Sequence, residues 1–205
     1  MNNANLINQS SGETEYYTPP EWIQASTECL GRIELDPASS DVANEVVKAD
    51  RFFTKETDGL SQSWKADTVW MNHPFHRGEK ACPSNKEKCK KKTCVKRGHH
   101  IDKDIPSNMD WIEKLISEYE SGNIKEAICI TFASTSEAWF RKLLKYPQCM
   151  PNKRVQYRNP DGSVCNNVTK GSCITYLGPN LDSFIQSFQS LGTIKVAVGG
   201  VDHGC

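Results

Sequence analysis

Thr68-Val69-Trp70-Met71-Asn72-His73-Pro74-Phe75 is the stretch that decides how this chain folds. Its first four residues read as a short apolar strand, which runs without a spacer into a polar turn containing proline. The same grammar occurs upstream, where Arg32 to Leu35 reads as a strand that stops at Asp36-Pro37-Ala38-Ser39-Ser40. Downstream, Ala127 to Phe132 is a continuous apolar run, as expected of a buried parallel strand. Phe52-Phe53, Val155 to Tyr157, Cys173 to Leu177 and Ile194 to Val198 are further strand candidates. Helices are predicted over Glu21 to Leu30 (opened by Pro19-Pro20 and ended by Gly31), Met109 to Tyr119, Ser136 to Leu144 and Leu181 to Leu191, with a helical turn at Ala43 to Lys48. Strands alternating with helices imply an α/β fold: a doubly wound sheet with helices on both faces and a ligand site at the strands' carboxyl ends.

The 205 residues suit one domain with a small appendage, long enough to bury a core without disulfides. No apolar run approaches the ~18–20 residues of a membrane span, and the polar start is no signal peptide, so the expected location is the cytoplasm. Residues 1–14, rich in Asn and Ser, are expected to be a disordered tail. In a reducing cytoplasm the nine cysteines should be thiols or metal ligands. Cys129, within an apolar run, reads as a small core residue.

The two strand-end turns carry the chemistry. An acidic residue such as Asp36 can hold a cationic or hydroxyl-bearing cofactor, Asn72 can accept from an amine through its side-chain oxygen, and Phe75 offers a face for base stacking. Either turn alone is ordinary; both together, at strand ends, point to a site.

These residues meet a family. Tyr17-Thr18-Pro19-Pro20-Glu21, Leu35 to Ser40, Phe53-Thr54-Lys55-Glu56-Thr57-Asp58-Gly59-Leu60, Trp64 and Val69 to Phe75 resemble the phage and prophage Dam-like adenine-N6 methyltransferases. The likeness continues through Asp110 to Lys114 and Trp139-Phe140, and more weakly from Arg154 to Gly178. It implies a Rossmann-like methyltransferase domain over 15–75 and 108–205 that uses S-adenosylmethionine (SAM) and acts on double-stranded DNA in a bacterial host cell. By resemblance, Thr18 and Pro19 pack on the methionine end of the cofactor, Tyr17 is a further cofactor-binding residue, and Asp36 and Pro37 form the cofactor-binding turn. Asp58 takes the position near the cofactor's adenine, with Asp50 a further candidate for its ribose hydroxyls. Asn72, His73, Pro74 and Phe75 match the catalytic tetrapeptide, with His73 standing where the family has its first proline. Histidine keeps the backbone carbonyl that the family uses, but not proline's fixed φ.

Residues 76–107 break the α/β pattern. They hold almost no large apolar side chains, yet include Cys82, Cys89, Cys94 and His99, with His100 as an alternative, a set suited to tetrahedral zinc. Over 76–97 nine basic residues face two acidic ones. Arg77, Lys80, Lys90, Lys91, Lys92, Lys96 and Arg97 are therefore expected to meet DNA phosphates. Competing readings are methylation of another planar amine, such as adenine in RNA or a glutamine side chain, and a zinc-dependent DNA-binding or anti-restriction protein on a decayed methyltransferase scaffold. SAM binding separates the enzymes from the binding module.

Overall fold

The computed structural model describes residues 16–159, 161–165 and 168–198. The expected N-terminal tail lies outside these residues. The chain forms a seven-stranded sheet of order β2-β1-β3-β6-β8-β7-β9. Its strands are β1 (Leu35–Asp36), β2 (Arg51–Phe52), β3 (Ala66–Met71), β6 (Ile124–Phe132), β7 (Gln148–Pro151), β8 (Ser172–Leu177) and β9 (Gly192–Lys195). From β2 to β6 all neighbours are parallel. From β6 to β9 every pairing is antiparallel. The expectation of a doubly wound sheet thus holds for one half and is corrected in the other.

Side chains along the central strands alternate between two cores. Trp70, Ile128, Ile130, Ile174 and Tyr176 pack beneath α1 (Pro20–Leu30) and α6 (Leu181–Phe188), meeting Trp22, Ile23, Phe184 and Phe188. Val69, Met71, Ala127, Cys129 and Leu177 face the other way, onto Trp111, Ile112 and Leu115 of α4 (Asn108–Glu120) and onto Phe140 of the short α5 (Ala138–Arg141). Burial on both faces is why these strands read as unbroken apolar runs. Cys129 is a core residue, as read, and Cys29, Cys149 and Cys173 are buried with it as free thiols.

Two predicted elements change. Val155 and Tyr157 are buried, but no strand forms there; a neighbouring ladder is built by β7 instead. The helix expected over Ser136 to Leu144 is regular only at Ala138–Arg141. The segment from 76 to 107 carries its own antiparallel pair, β4 (Arg77–Glu79) with β5 (Ile105–Ser107), around the short helix α3 (Lys92–Arg97). Among the described residues, no helix is long and apolar enough to cross a membrane.

Candidate active site and metal centre

The loops at the carboxyl ends of β1, β2, β3 and β6 open onto one crevice, where an open α/β sheet places its ligands. The β1 and β2 loops are laced together by backbone bonds: Phe53 N–H donates to the Asp36 carbonyl (3.0 Å) and Ser39 N–H to the Phe53 carbonyl (2.8 Å). Gly59 then lies so close to the β1 turn that a Cβ there would overlap the Pro37 carbonyl oxygen. The indole of Trp64 fixes this loop by donating to the Gly59 carbonyl at 2.7 Å.

Asp36 ends β1 and is only 2% exposed. Burial pushes its carboxyl up to about 7, a rise partly offset by the hydrogen bond that the Ala38 N–H donates to Oδ1 at 3.1 Å. A cationic ligand group beside it would favour the charged form and return that desolvation cost.

Asn72 follows β3. Its Nδ2 donates to the Tyr16 carbonyl at 2.6 Å and to Thr18 Oγ1 at 3.0 Å. A carbonyl can only accept, so this contact sets the amide's orientation and leaves Oδ1 as its acceptor. The segment bearing Tyr16 and Thr18 is itself anchored. Tyr17 and Arg158 exchange backbone bonds of 3.0 and 2.9 Å, and Tyr17 Oη lies 3.3 Å from Ser40 Oγ.

His73 turns inward and is 1% exposed. Nε2 lies 3.1 Å from Asn108 Oδ1, and Nδ1 has no hydrogen-bond partner in the buried interior. Burial pulls the imidazole down to about 4, despite the Asn108 bond, so the ring is neutral at physiological pH. Phe75 packs edge-on to His73 (5.3 Å between centroids) and against Phe132 (4.2 Å), remaining half-buried at the crevice wall. Pro74 is exposed beside it.

Tyr17, Thr18, Asp36, Pro37, Asp58, Asn72, His73, Pro74 and Phe75 thus all line the one crevice. Two predicted residues do not. Pro19 is buried as the N-cap of α1, and Asp50 sits outside the crevice, 3.8 Å from Arg32. Sequence reasoning missed Tyr16 and Asn108, whose roles depend on a backbone carbonyl and a long-range contact. It also missed Arg158 and Lys170, which line the crevice as well, Arg158 paired with Tyr17 and Lys170 lying over the Phe132 ring.

In the segment after the crevice, Cys82, Cys89, Cys94 and His100 bring their ligand atoms within 4.8 Å of one another. The imidazole is that of His100, the alternative, and not that of His99, the first choice from spacing; both histidines also line the crevice. The helix α3 ends at Gly98 (φ 79°), and the left-handed turn there redirects the two histidines. The Cys82 and Cys94 sulfurs are 3.2 Å apart and those of Cys89 and Cys94 3.8 Å. Zinc–sulfur bonds of about 2.3 Å in a tetrahedron place sulfurs about 3.8 Å apart, so the donor set fits that ion. Ile101 N–H points at Cys82 Sγ (3.5 Å), an outer contact of the kind that orients metal ligands.

The predicted DNA-contacting cations divide. Lys80 pairs with Asp104 (2.7 Å), Lys91 donates to the Lys80 and Ala81 carbonyls, and Arg97 is held by Glu79 (3.1 Å). These three hold the segment together. Arg77, Lys90, Lys92 and Lys96 are exposed.

The sheet and its strand-end crevice are compatible with a methyltransferase-like α/β fold. The chain belongs to the DNA N-6-adenine-methyltransferase (Dam) family, whose model matches residues 8–174. Membership makes adenine in DNA the substrate class. No curated protein and no solved structure matches the chain.

Proposed function

We propose that this protein transfers the methyl group of SAM to the exocyclic amine of an adenine flipped out of duplex DNA. The observation that carries the reading is Asn72: its Nδ2 is committed to Tyr16 and Thr18, and Oδ1 is left to accept. Adenine's amine is a poor nucleophile because its lone pair is delocalised into the ring. Asn72 Oδ1 and the His73 carbonyl would accept its two N–H groups and orient that lone pair, and Phe75 would stack on the extruded base. No strong base is required. The neutral, buried His73 imidazole is unsuited to be one.

The residues present suit SAM, which supplies an electrophilic methyl group when bound. Asp36 would hold its cationic end, with Tyr17 and Thr18 beside it, and Asp58 would serve its adenosine end. Residues 15–75 and 108–205 form the methyltransferase domain in this reading, and 76–107 an insertion that zinc organises through Cys82, Cys89, Cys94 and His100. Arg77, Lys90, Lys92 and Lys96, which are exposed, would grip phosphates, together with Arg158 and Lys170 at the crevice. Such methylation, in the cytoplasm of a bacterial host, would shield phage or prophage DNA from restriction.

Mass spectrometry of digested DNA after incubation with SAM tests the reading. Wild type should yield N6-methyladenine. Asn72→Ala should bind SAM normally yet lose about 10²–10³-fold in rate, the usual effect of deleting one preorganised polar group at a reacting centre. Equal product from both proteins would sink the assignment.

A further inference from the structure

His73 presents an energetic puzzle. A fully buried ring with one nitrogen unpartnered is less favourable than an apolar ring filling the same space. What imidazole adds is a directional bond, and that bond goes to the first residue of α4. Asn108 meets the strand-end loop twice. Its Oδ1 lies 3.1 Å from His73 Nε2, and its backbone N–H, one of the donors a helix start leaves without an internal partner, reaches the His76 carbonyl at 2.7 Å. One turn on, Trp111 stacks on His73 (6.2 Å between centroids, 27° between planes). Trp111 stacks in turn on Trp64, the residue that holds the Gly59 loop. Positions 108 and 111 share a helix face, so one rigid element brackets the loop at residues 73 and 76.

The start of α4 is well built for this task. Ser107 and Asp110 form a reciprocal capping box, which pins the first turn. Ser107 also closes β5 against β4, so the residue before Asn108 belongs to the segment that carries the cysteine cluster. Asn108 thus lines the crevice directly after the strand that closes the 76–107 segment.

We propose that Asn108 is a positioning residue for methyl transfer. It holds the His73 ring through Nε2–H, and so sets the peptide whose carbonyl accepts from the substrate amine. This rests on the reading under Proposed function. Residue 73 lacks a ring to limit its φ, and the side-chain bond supplies the constraint from outside the backbone.

Two variants and two readouts test it. Asn108→Asp keeps an acceptor oxygen for Nε2–H, whereas Asn108→Leu keeps the volume and removes the acceptor. Asn108→Leu should lower kcat ten- to a hundredfold, with SAM and DNA dissociation constants within twofold of wild type, and Asn108→Asp should recover most of the loss. Combining Asn108→Leu with His73→Ala should cost no more than His73→Ala alone, because both cut one link. Multiplying effects, or equal losses in the Asp and Leu variants, would overturn the proposal. The second readout needs no turnover: nitrogen NMR of the imidazoles, with the His73 signals identified by their absence in His73→Ala. Wild type should show His73 protonated at Nε2 alone, and Asn108→Leu should mix the tautomers. Unchanged ring shifts would refute the bond. The expected shifts in a protein that makes no N6-methyladenine would leave the bond standing and remove only the methyl-transfer reading.

Discussion

The crevice wall built by β1, β3 and β6 and the segment from 76 to 107 are held together by different physics. Around the crevice, Leu35, Trp64, Val69, Trp70 and Met71 are wholly buried, and apolar packing on both sheet faces positions the polar loops. In the 76–107 segment only Cys82 and Cys94 are buried. Its order comes from a two-strand ladder, the Glu79–Arg97 pair, Lys91 on backbone carbonyls and the four-ligand cluster. A hydrophobic core tolerates loss of any ligand, whereas a ligand-built module does not. The two roles proposed above, cofactor capture at the crevice and phosphate contact by the 76–107 segment, should therefore be separable by what is removed.

The largest effect expected in the crevice concerns its two buried titratable groups. Asp36 in the folded state keeps a proton between its ordinary value of 3.8 and about 7, where the unfolded chain has lost it, so stability falls as pH rises across that window. His73 behaves oppositely. Its folded value is about 4 against an ordinary 6.5, so stability rises with pH between them. Integrated over its window, each change amounts to roughly 3–4 kcal/mol, and between pH 4 and 6.5 the two oppose one another. Urea unfolding of Asp36→Asn should therefore show stability climbing from pH 4.5 to 6.5, and His73→Leu should show it falling. Two parallel profiles would contradict the burial of either group.

A smaller effect is expected at Gly59, where any Cβ meets the Pro37 carbonyl. Gly59→Ala should destabilise by about 2–3 kcal/mol and weaken SAM binding by about tenfold or more, read by calorimetry, with zinc content unchanged. If only overall stability moved, the β1 and β2 loops would not be acting as one cofactor-binding unit. The smallest effect is on the exposed face of α3. Lys92→Ala with Lys96→Ala should weaken DNA binding by several-fold, leave SAM affinity untouched, and make the salt dependence shallower by about two phosphate contacts. An unaltered salt slope would move the DNA away from α3.

Much of this was legible in the sequence because apolar packing leaves periodic traces. Strands β3, β6 and β8 and helices α1, α4 and α6 all sit where their apolar residues predict. The crevice residues were readable as turns at strand ends, and three cysteines of the cluster by proximity. What escaped has a common cause. Strand β7 is four residues long, with a polar Gln148 whose burial is supported by Thr175 at 3.2 Å, so neither period nor polarity marks it. Val155 and Tyr157 are buried without a ladder, which apolar character alone does not reveal. His99 and His100 are adjacent and chemically alike, and only the turn at Gly98 sets which of them reaches the cysteines. Asp50 lies at the amino end of β2, away from the loops at the strands' carboxyl ends. Asn108 reads as an ordinary helix start until His73 is seen against it. Contacts between residues 35 positions apart have no local signature.

The division of labour is tested most directly by titrating one protein with SAM and with duplex DNA before and after zinc is stripped by a chelator. The account predicts that SAM affinity survives within about twofold, while DNA affinity falls at least tenfold and returns when zinc is restored. Loss of SAM binding together with DNA binding, or DNA binding indifferent to the metal, would contradict it.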